Sequence, residues 1–226
     1  MKAPILVTAA LSSALVLGAC SDADLETSPL APEVAMDRQN PNSSRAPAKG
    51  SMSIAEIVTA SAENEVLEER EFTLLLAAIE YIAATNPSSE LLEGLFNKDQ
   101  YTVFAPKDQA FLDLVDAVAG ELDPAVLENE GPFAAIDDFL GFGTIEAVVS
   151  YHVTEGRRAA NSVIPPNRDR TIETLLTGAT FSVDSDGMIT AVGNTASIDL
   201  DMANISASNG IIHAIDAVIL PIVLDL

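Results

Sequence analysis

The chain has 226 residues, 48% of them hydrophobic, and sets 34 Asp and Glu against 11 Lys and Arg for a formal net charge of −23. That length suits one well-buried core with appendages and falls short of what two domains typically need, and the apolar content excludes a disordered chain. The acidity excludes the basic footprint of a nucleic-acid binder and disfavours docking on anionic headgroups; it reads as surface solubility or adaptation to salt, the other reading being calcium-bridged contact with another surface.

Residues 1–19 read as a secretory leader, with Lys2, an apolar run from Ile5 to Leu17, then Gly18 and Ala19. The run is too short to span a bilayer. Leu17-Gly18-Ala19-Cys20 resembles the bacterial lipobox, which implies cleavage before Cys20 and its acylation, a lipid attachment that anchors the protein to a membrane. Cys20 is the one cysteine of the chain, so no internal disulfide can form, and acylation accounts for an otherwise free thiol in an exported protein. By resemblance to lipoprotein sorting, Ser21 implies travel to the outer membrane, on its periplasmic or cell-surface side. Asp22, Asp24 and Glu26 resemble a surface-export signal or simply keep the tether soluble. Residues 20–51, with Pro29, Pro32, Pro41 and Pro47 and no apolar periodicity, read as a flexible linker.

The folded part is expected over 52–223. Ser53 and Glu56 form a capping box ahead of Ile54, Ile57 and Val58, so the first element is a helix. A second carries Phe72, Leu75, Leu76 and Ile79 on one stripe and stops near Asn86-Pro87. Leu91, Leu92, Leu95 and Phe96 make a third, shorter apolar face. Tyr101 to Ala105 is a strand of β-branched and aromatic residues that Pro106 cannot continue. Phe111, Leu114, Val115 and Val118 then fall at helical spacing, with Asp108 as a candidate cap. Asp123-Pro124 starts a short helix through Leu127. Glu128 to Gly143, rich in Gly and Phe, reads as an irregular loop pinned by its own aromatics, or as a lid or insertion. A helix with Ile145, Val148, Val149 and His152 on one face follows. Val163 and Ile164 close a short strand before Pro165-Pro166. From Thr171 the period becomes two: Phe181 and Val183, then Ile189 to Val192, then Ala196, Ile198 and Leu200 read as hairpin strands, and Asn209-Gly210 as a tight turn. Helices followed by antiparallel strands argue for an α+β domain.

TVFAP from Thr102 to Pro106 with Phe111 after it, the Tyr151-His152 pair, and NGIIHAIDAVILP from Asn209 to Pro221 resemble, in that order, the motifs of the fasciclin domain. The resemblance spans Ser53 to Pro221. It implies a β-sandwich wedge with a helical lobe packed against it, and places Thr102, Phe104, Pro106, Phe111, Asn209, Gly210, His213 and Pro221 in its structural motifs. It also links the Tyr151-His152 pair to adhesion, directly or through the fold. The implied protein is a membrane-anchored extracytoplasmic adhesion module whose partner is a cell-surface or matrix protein or glycan, with no enzyme activity and no cofactor. The alternative is a carrier for a small apolar or glycan ligand held in a cleft between sheet and helical lobe. The residues do not set an oligomeric state.

Chemistry has few places to go. The two histidines are His152 and His213. Alternation in IIHAI sets Ile211, His213 and Ile215 on one face against Ile212 and Ala214, which makes His213 a hydrogen-bonded histidine at the core or its edge, and no HExxH or comparable metal spacing supports a ligand role. His152 at a helix end has a similar structural reading. No GxSxG elbow exists. Gly141-Phe142-Gly143 fails as a dinucleotide fingerprint because Glu146 stands where the third glycine belongs. Asp184-x-Asp186-Gly187 resembles part of a calcium loop but lies between strands without a downstream bidentate Glu, so it reads as a turn. Arg157-Arg158 and the pair Arg168 and Arg170 read as balancing local carboxylates, the other reading being recognition of an acidic partner.

Replacing Cys20 by Ser is expected to leave the protein unacylated and soluble. Fractionation in which that variant still partitions fully with membranes would contradict the lipobox reading.

Overall fold

Strands β1 (Tyr101–Pro106) and β8 (Gly210–Ile215) lie side by side in parallel, Thr102 opposite Ile211 and Phe104 opposite His213. All of β8, and all of β1 after Tyr101, is buried. A parallel pair covered on both faces has no use for alternating polarity, which is why TVFAP and GIIHAI read as near-continuous apolar runs. This computed structural model describes residues 48–64, 70–96 and 99–224; the leader, Cys20 and the linker up to residue 47 lie outside them.

β2 (Val153–Glu155) pairs antiparallel with β1, and β7 (Ile205–Ala207) with β8, giving a first sheet of order β2-β1-β8-β7. A second sheet is the antiparallel meander β3 (Arg170–Glu173), β4 (Thr180–Val183), β5 (Met188–Thr190) and β6 (Thr195–Ser197). Side chains alternate across a strand, so the first sheet faces two cores. Val103, Ala105, Ile212 and Ala214 pack with the helices, whereas Phe104 and Ile215 pack with Ile172, Phe181, Val183 and Ile189 of the second sheet. The result is the α+β arrangement expected: two sheets face to face, with helices on the far side of the first.

The helices are α1 (Ile54–Ala62), α2 (Thr73–Thr85), α3 (Glu90–Phe96), α4 (Asp108–Val118), α5 (Pro124–Glu130), α6 (Pro132–Leu140), α7 (Thr144–Tyr151) and α8 (Ala160–Val163). The Ser53–Glu56 capping box forms on α1 in both directions, and Asp123 caps α5 through the Ala125 N–H at 2.8 Å. Phe111 and Val118 of α4 are buried, with Leu114 and Val115 packed against the same core. The pleated-face and helical-face patterns therefore both hold.

Several local expectations are corrected. Asp108 does not cap α4, whose N-cap is Lys107; its carboxylate accepts the Leu74 N–H at 2.7 Å and caps α2 instead. The α2 N-cap is Phe72, which has no oxygen to offer, so the orphan amide is satisfied from another element. Residues 128–143 are mostly helical: α5 runs on to Glu130, and Pro132 opens α6, whose Phe133, Ala134, Ala135 and Ile136 are buried. Phe139 and Phe142 do not pin this segment, being 37% and 80% exposed. Val163 ends helix α8 rather than a strand because the Ala160 N–H finds a side-chain cap in Asn204 Oδ1 at 2.8 Å. Leu200 leaves the strand pattern for a short 3-10 turn and is exposed.

The tight turn is displaced by one residue. Ala207 pairs with Gly210, so Ser208 and Asn209 form the turn and Gly210 already belongs to β8. Gly210 is there for space, since a Cβ would lie 2.2 Å from the Tyr101 carbonyl oxygen and 2.6 Å from Ile54 Cδ1. Asn209 is buried, its Oδ1 accepting the Ile54 N–H and its Nδ2 donating to the Leu95 carbonyl, both at 2.8 Å. One side chain thus fastens the start of α1 and the end of α3 to the β7–β8 turn.

Asn209→Ala leaves a donor and an acceptor buried without those partners and is expected to lower unfolding free energy by about 2–4 kcal/mol. Asp108→Ala removes one helix cap and is expected to cost about 1 kcal/mol. Urea denaturation of both variants checks the order; equal midpoints for Asn209→Ala and the native chain would contradict the assignment.

Candidate functional site

The polar groups that the sequence singles out converge on the two ends of the β1–β8 pair. Thr102 Oγ1 donates to the Gly156 carbonyl at 2.7 Å and accepts the Arg158 N–H at 2.8 Å. His213 Nε2 lies 2.9 Å from the Arg158 carbonyl, and its Nδ1 accepts the Asn204 N–H at 3.2 Å. With Nδ1 accepting, Nε2 must carry the proton and donate. Asn204 holds a left-handed backbone, φ 61°, a conformation Asn tolerates better than most residues. The His213 ring also stacks at a tilt on Phe104, centroids 5.7 Å apart.

His152 is fixed in the opposite tautomer. Its Nδ1 lies 2.7 Å from the Val148 carbonyl and its Nε2 accepts the Ile219 N–H at 3.0 Å, so Nδ1 holds the proton. The ring thereby ties the end of α7 to the segment that follows β8. Tyr151 points elsewhere: it packs edge-on against Phe181 at 5.8 Å and donates its hydroxyl to the Thr180 carbonyl at 2.7 Å. Tyr151 is wholly buried and His152 is 2% exposed. The pair therefore presents no side chain to a partner. Burial pushes both imidazoles down to about 4, against which the carbonyl bond of each is a lesser, opposing effect, so both are neutral at pH 7.

Arg157 is a residue whose role the sequence reading missed. Its Nη1 donates to the Ala207 carbonyl at 2.8 Å and to the Gly210 carbonyl, and its Nη2 donates to the Ala48 carbonyl at 3.1 Å and to Ser206 Oγ at 2.5 Å. Burial lowers its pKa. This guanidinium is a clamp across β7 and β8, and it holds Ala48, from the end of the expected linker, against β7. Asp137 was missed as well. It is buried, takes the Ile145 and Gly143 N–H groups at 2.8 and 3.1 Å, and accepts the Tyr81 hydroxyl at 3.1 Å. Burial and the neighbouring Asp137 charge push Tyr81 up to about 12. No local spacing announces Arg157, whose partners lie at least 49 positions away; Asp137 takes amides six and eight positions on, at the start of α7, and a hydroxyl 56 positions back.

Phe104 and Phe111 are buried in the two cores. Pro106 is itself the last residue of β1, opposite Ile215, so the strand runs one residue beyond the expected end at Ala105, and Pro221 lies in a bend after β8. Asp184 Oδ1 accepts the Asp186 and Met188 N–H groups, each at 2.9 Å, so the calcium-like spelling is a turn. Among the described residues no group of three His, Cys, Asp or Glu side chains could hold a metal ion. An apolar cavity lies between α4, α6, α7 and the segment after β8, lined by Phe111, Ile145, Val149 and Leu220 among others, with a volume of about 20 Å³. That is room for about one water molecule, far below the roughly 300–1,000 Å³ of a ligand pocket. Arg158, Arg168 and Arg170 instead border an open depression of about 470 Å³ together with Pro165, Asp169 and Thr171. Among the described residues these three arginines form no ion pair, and Asp169 is the carboxylate residue that borders the depression with them.

A family model described as the fasciclin domain matches residues 70–221. The chain is 28% identical over 152 residues to the immunogenic proteins MPB70 of Mycobacterium bovis and MPT70 of Mycobacterium tuberculosis, covering 67% of this chain. It spans 64% of the length of those mycobacterial relatives. It is 32% identical over 167 residues to protein sll1483 of Synechocystis, covering 73% of each chain. Among solved structures it is similar to a FAS1 domain pair from the insect cell adhesion molecule fasciclin I, with 15% identity and a TM-score of 0.40 over 65% of this chain and 45% of that one. Among the described residues no helix is long and apolar enough to cross a membrane.

The buried imidazoles give stability a pH dependence of definite sign. Each holds a folded pKa near 4 against about 6.5 when unfolded, so the unfolded chain binds more protons between those values. Their contribution is fully present above pH ~6.5 and is lost as pH falls towards 4, by about 3 kcal/mol for each ring. Nitrogen-15 NMR should show His213 as the Nε2–H tautomer, His152 as the Nδ1–H tautomer, and both titrating near pH 4. Titration of either at the free-histidine value would contradict the placement.

Proposed function

This chain belongs to the fasciclin domain family, and on that premise we propose that it is a non-catalytic extracytoplasmic adhesion module, anchored through Cys20 and binding a cell-surface or matrix partner through its exposed face. The observation that carries the reading is the commitment of the candidate chemical groups to the fold. Both imidazoles are neutral, buried and hydrogen-bonded at both nitrogens. A general base needs reach to a substrate proton, and neither ring has a free nitrogen with which to take one. Tyr151 and His152 support adhesion by holding the end of α7 against the second sheet and the segment after β8, and the contact itself is made by other side chains.

The carrier reading receives no support from the apolar cavity, whose volume of about 20 Å³ cannot enclose a lipid or an aromatic ring. The leader, the lipobox and Ser21 support an outer-membrane lipoprotein whose head is held off the surface by the linker.

Beads carrying the full chain should adhere to cells or matrix, and beads carrying Tyr151→Phe should adhere equally well. That variant loses one hydrogen bond and is expected to cost about 1 kcal/mol of stability. Native beads that fail to adhere under any salt or calcium condition would overturn the adhesion reading. Loss of adherence in a Tyr151→Phe protein that remains folded would instead assign direct contact to the hydroxyl.

A further inference from the structure

Beyond Lys107 the chain has four basic residues, Arg157, Arg158, Arg168 and Arg170. Arg157 is engaged by backbone carbonyls, and the other three border one depression of about 470 Å³. On a chain of net charge −23 the cheapest arrangement disperses its cations among carboxylates. Here they are gathered, and among the described residues they form no ion pair. Bringing like charges together costs free energy that an anionic ligand would offset.

The depression is also built on rigid parts. The Arg158 backbone is held at both ends by buried groups, its N–H by Thr102 Oγ1 and its carbonyl by His213 Nε2, and its Nε donates to the Glu155 carbonyl at 3.1 Å. Arg170 begins β3 in register with Val183. Arg168 sits in the loop between them, which Pro165 and Pro166 stiffen. The volume lies in the range of small-ligand sites.

The chemistry of the lining narrows the ligand. Guanidinium forks suit planar or tetrahedral oxyanions. Asp169 and Thr171 border the depression together with the three cations, so a dianion such as a phosphate ester meets repulsion there, while a sugar hydroxyl finds an acceptor and a donor. A long polyanion is repelled by the rest of the acidic surface. We propose that the Arg158–Arg168–Arg170 depression binds the carboxylate of a single acidic sugar residue, of uronic type, exposed on a glycan. This deepens the adhesion-module reading and rests on it.

The test is calorimetric titration of the full chain with glucuronate, with glucose and inorganic sulfate as comparisons. Glucuronate should bind one to one and weaken as salt is raised, and glucose and sulfate should each bind at least tenfold more weakly. Arg168→Gln with Arg170→Gln should lower glucuronate affinity at least tenfold without moving the melting temperature, and Arg168→Lys, which keeps the charge and loses the fork, should fall between. If the double variant melts lower, Arg168→Gln alone, in an exposed loop, carries the comparison. Absence of glucuronate binding, equal affinity in the variants, or sulfate binding as tightly as glucuronate would each overturn the proposal. Native beads that adhere to cells while glucuronate fails to bind would overturn this site and leave the adhesion reading standing; native beads that do not adhere overturn that reading itself.

Discussion

The parallel pairing of β1 with β8 is the constraint from which the rest of the structure follows. It joins residues more than a hundred positions apart and must be covered on both faces, because a two-sided parallel ladder has no solvated side. The helices cover Val103, Ala105, Ile212 and Ala214, and the second sheet covers Phe104 and Ile215. Each lobe therefore supplies half the burial of the same two strands. Gly210, with no room for a Cβ beside Tyr101 and Ile54, lets the pair approach closely at the end where α1 also docks.

The same constraint explains the buried polar groups. Where the pair meets irregular backbone, amides and carbonyls are left without ladder partners, and an unpaired buried group costs about 1–3 kcal/mol. His213, Thr102, Asn204 and Asn209 satisfy these groups at one side, and His152 does so for Ile219 at the other. Arg157 serves four partners at the β7 edge. The two histidines, one at the end of α7 and one in β8, thus act as fixed donor-acceptor pairs, a role that needs them neutral. Among the described residues this arrangement keeps both imidazoles inside and sets Arg158, Arg168 and Arg170, which form no ion pair, around an open depression on an acidic chain.

Much of this was legible from residue order. The capping box at Ser53, the stripe on α4, the period-two strands after Thr171 and the burial of His213 are each set by neighbours within a few positions, and those are the features that periodicity reports. What was not legible depends on partners distant in sequence. Asp108 is spelled as a cap for its own helix but lies nearer the start of α2, where Phe72 offers no oxygen. Ile164-Pro165 suggested a strand end, yet Asn204 supplies the cap that lets the preceding residues turn as α8. The Gly and Phe content of 128–143 suggested a loop; Pro132 at the head of α6 and the burial of Phe133 and Ile136 make it a helix. The arginine depression is assembled from two loops and an edge strand, and only their placement shows that the three side chains border one site.

The central claim is that β1 and β8 bind the helical lobe and the second sheet into one cooperative unit. Native-state hydrogen exchange of the amides at Val103, Phe104 and Ile211 to Ile215 tests it most directly. These amides should exchange last and only through global opening, with the same free energy as amides in α7 and β4, because neither lobe retains its core once the pair separates. Exchange of the pair through local opening, or two separate unfolding transitions for the helices and the second sheet, would contradict it.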